Sequence, residues 1–220
     1  MPSAIIFDID GTLIDSVDLH ALAWHDAFIH FGHKVEVEQA RSQIGKGGDK
    51  LLPVFLTPQE VYNHGKELEV WRSQHFKSRY LPMVRAFSAV PELLCALRER
   101  GLKLAVASSA KKDELQAYLE IAEISGLIDE LVSSEDVSES KPAPDVFEVA
   151  IQRLHVAPAD AVAIGDSPYD AQAAGKLGMT AVGVLSGGFT GKALKDAGCV
   201  AVYPGPAALL ACLLASPLVK

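Results

Sequence analysis

Asp8 and Asp10 stand one residue apart, directly after the apolar run Ala4 to Phe7 and directly before Gly11-Thr12. The run is short and contains β-branched residues, which predicts a buried strand. Both carboxylates then leave the sheet at the strand end, where Gly11-Thr12 supplies a turn. Two such acids repel each other, and beside an apolar core they are costly unless something compensates. A bound cation would compensate, and Mg²⁺ is the usual choice for hard oxygen ligands. One acid could then attack a substrate while the other handles protons. A plainer alternative is that both acids cap the turn or the helix that follows.

The rest of the chain supplies the elements that would position this pair. Ser16 to Phe31 carry apolar residues near helical spacing, with Gly32 as a stop. A second helix is expected over Val37 to Ile44, ending in Gly45-Lys46-Gly47-Gly48. A third, from Pro58 to Tyr80, has its proline in the first turn. Residues 16 to 85 therefore read as wholly helical. From residue 90 helices alternate with apolar strands, expected at Lys103 to Ala107, Glu130 to Val132, Ala161 to Ile164 and Thr180 to Val184. Helices are expected at 90–100, 111–119, 143–154 and 167–177, and a helix, strand and helix within 192–214. This alternation predicts an α/β fold with a Rossmann-like parallel sheet covered by helices on both faces. Ligands bind such sheets beyond the carboxyl ends of the strands. There the pattern places Asp8 and Asp10, Ser108-Ser109, a loop with Lys141, and Gly165-Asp166. The helical block interrupts the sheet after its first strand and is expected to sit over that crevice. The expected division is a core domain of residues 1–15 and 86–220 with a helical cap domain of residues 16–85.

The bulk composition narrows the function. A formal net charge of −8 argues against a nucleic-acid-binding surface, which is normally basic. With that charge, an anionic substrate needs local positive charge from a metal or a few placed lysines. Cys95, Cys199 and Cys212 are odd in number and show no metal-type spacing, as expected of buried thiols in a reducing cytoplasm. There is no basic leader before a long apolar stretch and no run of eighteen apolar residues. A soluble, cytoplasmic monomer or homodimer that engages no membrane is expected.

Asp8-Ile9-Asp10-Gly11-Thr12, Ser108, Lys141-Pro142 and Gly165-Asp166-Ser167-Pro168-Tyr169-Asp170, in that order, resemble the four signature segments of the haloacid dehalogenase superfamily of phosphohydrolases. The resemblance spans almost the whole chain. The place of the helical block resembles the subgroup with an α-helical cap. The resemblance implies that Asp8 attacks phosphorus to form an aspartyl-phosphate, and that Asp10 protonates the leaving oxygen and later deprotonates water. It implies Mg²⁺ held by Asp8, the backbone carbonyl of Asp10 and Asp166, with Asp170 as a further partner. Ser108, with backbone N–H groups near Gly11, Thr12 and Ser109, would hold phosphoryl oxygens, and Lys141 would neutralise charge. Alternatives stand beside these roles: Ser108 and Asp166 also suit helix caps, Lys141 an exposed loop, and Asp170 a structural position.

An acid at position 10 separates phosphotransfer from the family's hydrolytic dehalogenation. Gly45-Lys46-Gly47-Gly48 resembles the family's substrate-specificity loop, where Lys46 could contact a second anionic group; an ordinary helix connection is the alternative. Lys77 and Arg79 are weaker candidates, expected on a solvated face. Asp15-Ser16-x-x-x-His20-x-x-x-Trp24 resembles cap members that handle sugar phosphates, including β-phosphoglucomutase, which makes His20 a candidate site residue. Gly165, however, occupies a position where mutases tend to carry an acid. A Mg²⁺-dependent phosphatase acting on a small phosphate ester, phosphoglycolate or a sugar phosphate, is therefore preferred. A mutase or a catalytically silent binding protein is the alternative.

Overall fold

The computed structural model describes residues 2–219. In chain order its elements begin with β1 (Ala4–Phe7), β2 (Ile14–Asp15), α1 (Val17–His30), α2 (Val37–Arg41), α3 (Gly48–Phe55) and α4 (Pro58–His75). A π-helical turn, Phe76–Tyr80, then leads to β3 (Arg85–Ala86), α5 (Val90–Arg98), β4 (Lys103–Ala107), α6 (Lys112–Ile121) and β5 (Glu130–Val132). The chain closes with α7 (Asp145–Leu154), β6 (Ala161–Gly165), α8 (Pro168–Lys176), β7 (Thr180–Val184), α9 (Gly191–Asp196), β8 (Ala201–Tyr203) and α10 (Pro206–Ala211).

Six of these strands form one parallel sheet in the order β5-β4-β1-β6-β7-β8. β1 is central because both its faces are apolar, and successive side chains on a strand point to opposite faces. Ile5 and Phe7 join a core with residues of α5, α6 and α10. Ala4 and Ile6 join a second core with residues of α7, α8 and α9. Helices thus cover both faces, the Rossmann-like arrangement expected of buried parallel strands. The order changes direction at β1, so the crevice beyond its carboxyl end is the topological switch point.

The helical block between β1 and α5 has an apolar core of its own, in which Trp24 and Phe28 of α1 meet Leu51 and Leu52 of α3 and Leu68 of α4. Entry to and exit from the block are paired: β2 and β3 run antiparallel, with Ile14 opposite Ala86 and Asp15 opposite Arg85. A two-residue ribbon is too short to give a periodic pattern, which is why the block read as wholly helical. Two further differences lie inside it. α2 ends at Arg41, and the glycine run leads into α3 rather than into the long helix. Pro53 lies within α3, and a proline inside eight residues hides a helix from a periodicity search. The expected helix 58–80 is α-helical only to His75 before its π turn.

Phe7 is wholly buried in the central strand, so its loss leaves a cavity that neighbours on both sides are too well packed to fill. Phe7→Ala is expected to lower unfolding free energy by about 3–5 kcal/mol, read from urea denaturation.

Candidate active site

Asp8 lies one residue beyond β1, its N–H still donating to the Ile164 carbonyl of β6 at 2.8 Å. Ser108 occupies the matching place after β4, donating its N–H to the Val132 carbonyl at 3.1 Å. Extending the ladders by one residue fixes both side chains above the sheet. The chain then folds tightly around Ile9, whose carbonyl accepts the N–H groups of Thr12, Leu13 and Ile14 at 3.2, 2.9 and 3.0 Å. Gly11 has φ +73°, and a β-carbon there would stand 2.5 Å from Asp166 Oδ2. Gly187 faces the same carboxylate so closely that any side chain would collide with it.

Three buried carboxylates, that of Asp8 among them, meet beyond the end of β1. Oxygens of Asp8, Asp166 and Asp170 lie within 4.8 Å of one another. The Lys141 ammonium donates to Asp8 Oδ1, and to Asp170 Oδ1 at 2.8 Å. Asp170 Oδ2 accepts from the Ser167 hydroxyl at 2.6 Å and from its N–H at 3.2 Å, closing the first turn of α8. Asp8 Oδ2 and Asp166 Oδ1 are buried without a hydrogen-bond partner. Buried carboxylate oxygens rarely stay orphaned, and their burial and mutual closeness suit a small hard cation. Asp8, Asp166 and Asp170 are the residues that could hold it.

The electrostatics agree. Burial pushes the Asp8 carboxyl up to about 8, opposed by Lys141 and reinforced by Asp170 and Asp10. Burial, then Asp8 and Asp170, likewise raise Asp166. For Lys141, burial disfavours the ammonium, but Asp170 and Asp8 more than offset it and hold the group protonated.

Asp10 faces the other way. Its Oδ1 accepts from the Ser16 hydroxyl at 2.5 Å and from His20 Nε2 at 2.8 Å. Burial opposes ionisation, yet His20, Ser16 and Arg72 bring this carboxyl below its usual value. Arg72 Nη2 contacts His20 Nδ1. Phe76 of the π-helical turn stacks on the ring at 4.1 Å between centroids, and the Tyr118 hydroxyl lies 3.0 Å from Nε2.

Asp8, Asp10, His20, Lys46, Ser108 and Ser109 share one cavity of about 70 Å³, roofed by residues 44–48. Ser108 Oγ accepts from the Ala110 N–H at 3.1 Å, the cap-like role open to it from the sequence. Ser109 Oγ and Thr12 Oγ1 are buried without partners. Lys46 donates to Gln43 at 2.6 Å and lies over the Tyr169 ring, 4.8 Å from its centroid. Lys77, in contrast, pairs with Asp113 on the surface, and Arg79 covers Tyr80.

Sequence reasoning missed Arg72, in the last turn of α4, and Glu114 and Tyr118 of α6, which belong to no motif. It also missed the ties between roof and sheet. The Ser140 hydroxyl donates to Asp49 at 2.5 Å and accepts the Gly47 N–H at 3.0 Å, and Lys50 pairs with Glu139 at 2.7 Å.

The comparisons with known proteins fall in with this geometry. Residues 5–184 match the model of the haloacid dehalogenase-like hydrolases, and the chain belongs to that family. A hydrolase structure from Pseudomonas syringae superposes with a TM-score of 0.90 at 30% identity, covering 98% of this chain and 99% of that one. The phosphoglycolate phosphatase of Nitrosospira multiformis is 30% identical over 207 residues, 91% of either chain. The β-phosphoglucomutase of Bacillus subtilis is 27% identical over 201 residues, 84% of either chain. Among the described residues no helix is long and apolar enough to cross a membrane.

The raised Asp8 carboxyl has a pH signature in chelator-treated protein. The folded state keeps this proton to about pH 8, whereas the unfolded chain loses it near the ordinary value of 3.8. The folded state thus binds the extra proton between those limits, and stability falls as pH rises through the window. Asn at position 8 does not titrate. The melting-temperature advantage of Asp8→Asn over wild type in EDTA should therefore widen from pH 5 to pH 8; a constant gap would contradict it.

Proposed function

We propose that this chain is a Mg²⁺-dependent phosphatase that hydrolyses a small phosphate ester, phosphoglycolate or a sugar phosphate, through an aspartyl-phosphate on Asp8. The observation that carries this is the pair of buried, partnerless oxygens on Asp8 and Asp166 beside a lysine-clamped carboxylate. Asp8, Asp166 and the backbone carbonyl of Asp10 would hold the ion, with Asp170 adjoining. The ion supplies positive charge that offsets repulsion between a carboxylate nucleophile and an anionic phosphoryl group.

The chain's own residues do the rest. Lys141 orients Asp8 and keeps one of its oxygens neutralised. An Asp8 oxygen forms a bond to phosphorus as the ester P–O bond breaks, and Asp10, entering this step protonated, gives its proton to the departing alkoxide. Asp10 is then the carboxylate that the His20 and Ser16 contacts favour. It takes a proton from water, the water oxygen bonds phosphorus, and the Asp8–phosphorus bond breaks to release inorganic phosphate. Ser108 and the Ser109 N–H would hold phosphoryl oxygens, whereas the Gly11 and Thr12 N–H groups, expected to share that role, donate to the Ile14 and Ile9 carbonyls at 2.8 and 3.2 Å. Residues 16–85 act as a cap domain over a core of residues 1–15 and 86–220, with the β2–β3 ribbon as the passage between them.

A phosphatase is favoured over a mutase by Gly165. A β-carbon there would run into the Asp170 side chain, so an acid before Asp166 has no room while Asp170 holds Lys141. The setting is taken to be cytoplasmic, with the chain a monomer or homodimer.

Phosphate release from p-nitrophenyl phosphate tests the reaction. Turnover should require Mg²⁺ and fall by at least about 10³-fold in Asp8→Asn, whose amide is a far weaker nucleophile; near wild-type rates would overturn the nucleophile assignment. Lys46→Ala should raise KM for the true substrate severalfold, and unchanged kinetics would remove Lys46 from the binding surface.

A further inference from the structure

Next to the reacting centre lies a second, larger cavity of about 250 Å³, sharing Trp24, Gly47, Gly48, Arg72, Ser109, Ala110 and Glu114 with the first. A phosphate seated at Asp8 would direct the remainder of its ester into this space. The volume holds on the order of ten or more waters, so a two-carbon acid would leave most of it wet. The substrate's alcohol part is therefore expected to be larger than glycolate.

The lining says what that part carries. Four acids border the larger cavity: Asp49, Glu69, Glu114 and Glu139. Three already have protein partners. Asp49 accepts from Ser140, Glu139 pairs with Lys50, and Glu114 accepts from the Tyr118 hydroxyl at 3.1 Å. Glu69 of α4 is half-buried and has no hydrogen bond among the described residues. Its carboxylate lies directly over Gly48, where any side chain would collide with it, so the glycine run accommodates this acid at the cavity wall. Burial, and then the neighbouring Asp49, raise its carboxyl above the usual range, against the opposing pull of Lys111 and Arg72. An acceptor in this setting gains from a donor and loses from another anion.

Resting on the phosphatase reading above, we propose that Glu69 is a specificity-determining residue. It accepts hydrogen bonds from hydroxyl groups on the ester's alcohol part and rejects carboxylates. The substrate class is then a polyhydroxylated, non-acidic phosphate monoester, and phosphoglycolate is disfavoured.

The test measures kcat and KM for glucose 6-phosphate, ribose 5-phosphate, glycerol 3-phosphate and phosphoglycolate in wild type, Glu69→Gln and Glu69→Ala. Melting temperatures confirm that each variant is folded. Wild type should prefer at least one hydroxylated ester over phosphoglycolate. Glu69→Ala should raise KM for that ester about tenfold, the loss of roughly one charged hydrogen bond. Glu69→Gln, which keeps one acceptor oxygen, should recover part of the loss. Both variants should raise the relative kcat/KM for phosphoglycolate. Wild-type preference for phosphoglycolate, or a substrate ranking unchanged in both variants, would overturn the role of Glu69 while leaving the phosphatase intact. Absence of Mg²⁺-dependent release from every ester, p-nitrophenyl phosphate included, would instead overturn the phosphatase on which the inference rests.

Discussion

Three carboxylates buried beside one ammonium are the constraint on which the rest of this structure depends. With Asp8, Asp166 and Asp170 ionised, Lys141 leaves two negative charges uncompensated in a place nearly closed to water. An isolated buried charge of this kind is expensive, and proteins normally neutralise it, pair it or bind a cation to it. The parallel sheet makes the crowding possible. Its central strand ends at the switch point, and its neighbours deliver Ser108 and Asp166 to the same rim. Glycines at 11 and 187 let backbone approach Asp166 where side chains would not fit. The stability sacrificed there is recovered in two apolar cores, one on each face of the sheet.

The second acid shows how position alone separates two chemically identical groups. Asp8 is buried among other carboxylates and is pushed up; Asp10, two residues on, faces Ser16, His20 and Arg72 and is pushed down. Without a bound cation these shifts run opposite to the proposed division of labour, in which Asp8 attacks as a carboxylate and Asp10 donates a proton; a cation beside Asp8 would favour its ionised form. The groups that hold Asp10 low come from the helical block, where Arg72 contacts His20 and Phe76 of the π-helical turn stacks on its ring. The electrostatics of Asp10 therefore depend on where the block sits.

The core was legible in the sequence because its strands are short, apolar and punctuated. β4, β5 and β7 have the boundaries their composition implies, and the polar residues at strand ends are those that meet in space. A sheet with both faces buried leaves few ways to place such a run. The helical block was less legible. α3 begins in a glycine run and contains Pro53, and the β2–β3 ribbon is held by position rather than by pattern. Arg72, Glu69, Glu114 and Tyr118 lie on ordinary amphipathic helices, where charged and aromatic residues carry no local mark of function. Only the packing of α4 and α6 around the crevice distinguishes them from solvated side chains. His20 was a candidate only through the resemblance of Asp15-Ser16-x-x-x-His20-x-x-x-Trp24 to cap members that handle sugar phosphates, and its contact with Asp10 required coordinates.

A chemical step links the buried acid cluster to activity. If the cluster exists to let a carboxylate attack phosphorus, the protein must carry phosphoryl covalently during turnover. Rapid acid quench of enzyme mixed with Mg²⁺ and a ³²P-labelled ester, followed by peptide mapping, tests this directly. Hydroxylamine-sensitive label is expected on the peptide containing Asp8 and absent from the Asp8→Asn protein. Stoichiometric phosphate release with no labelled protein, or label on another residue, would contradict the central claim.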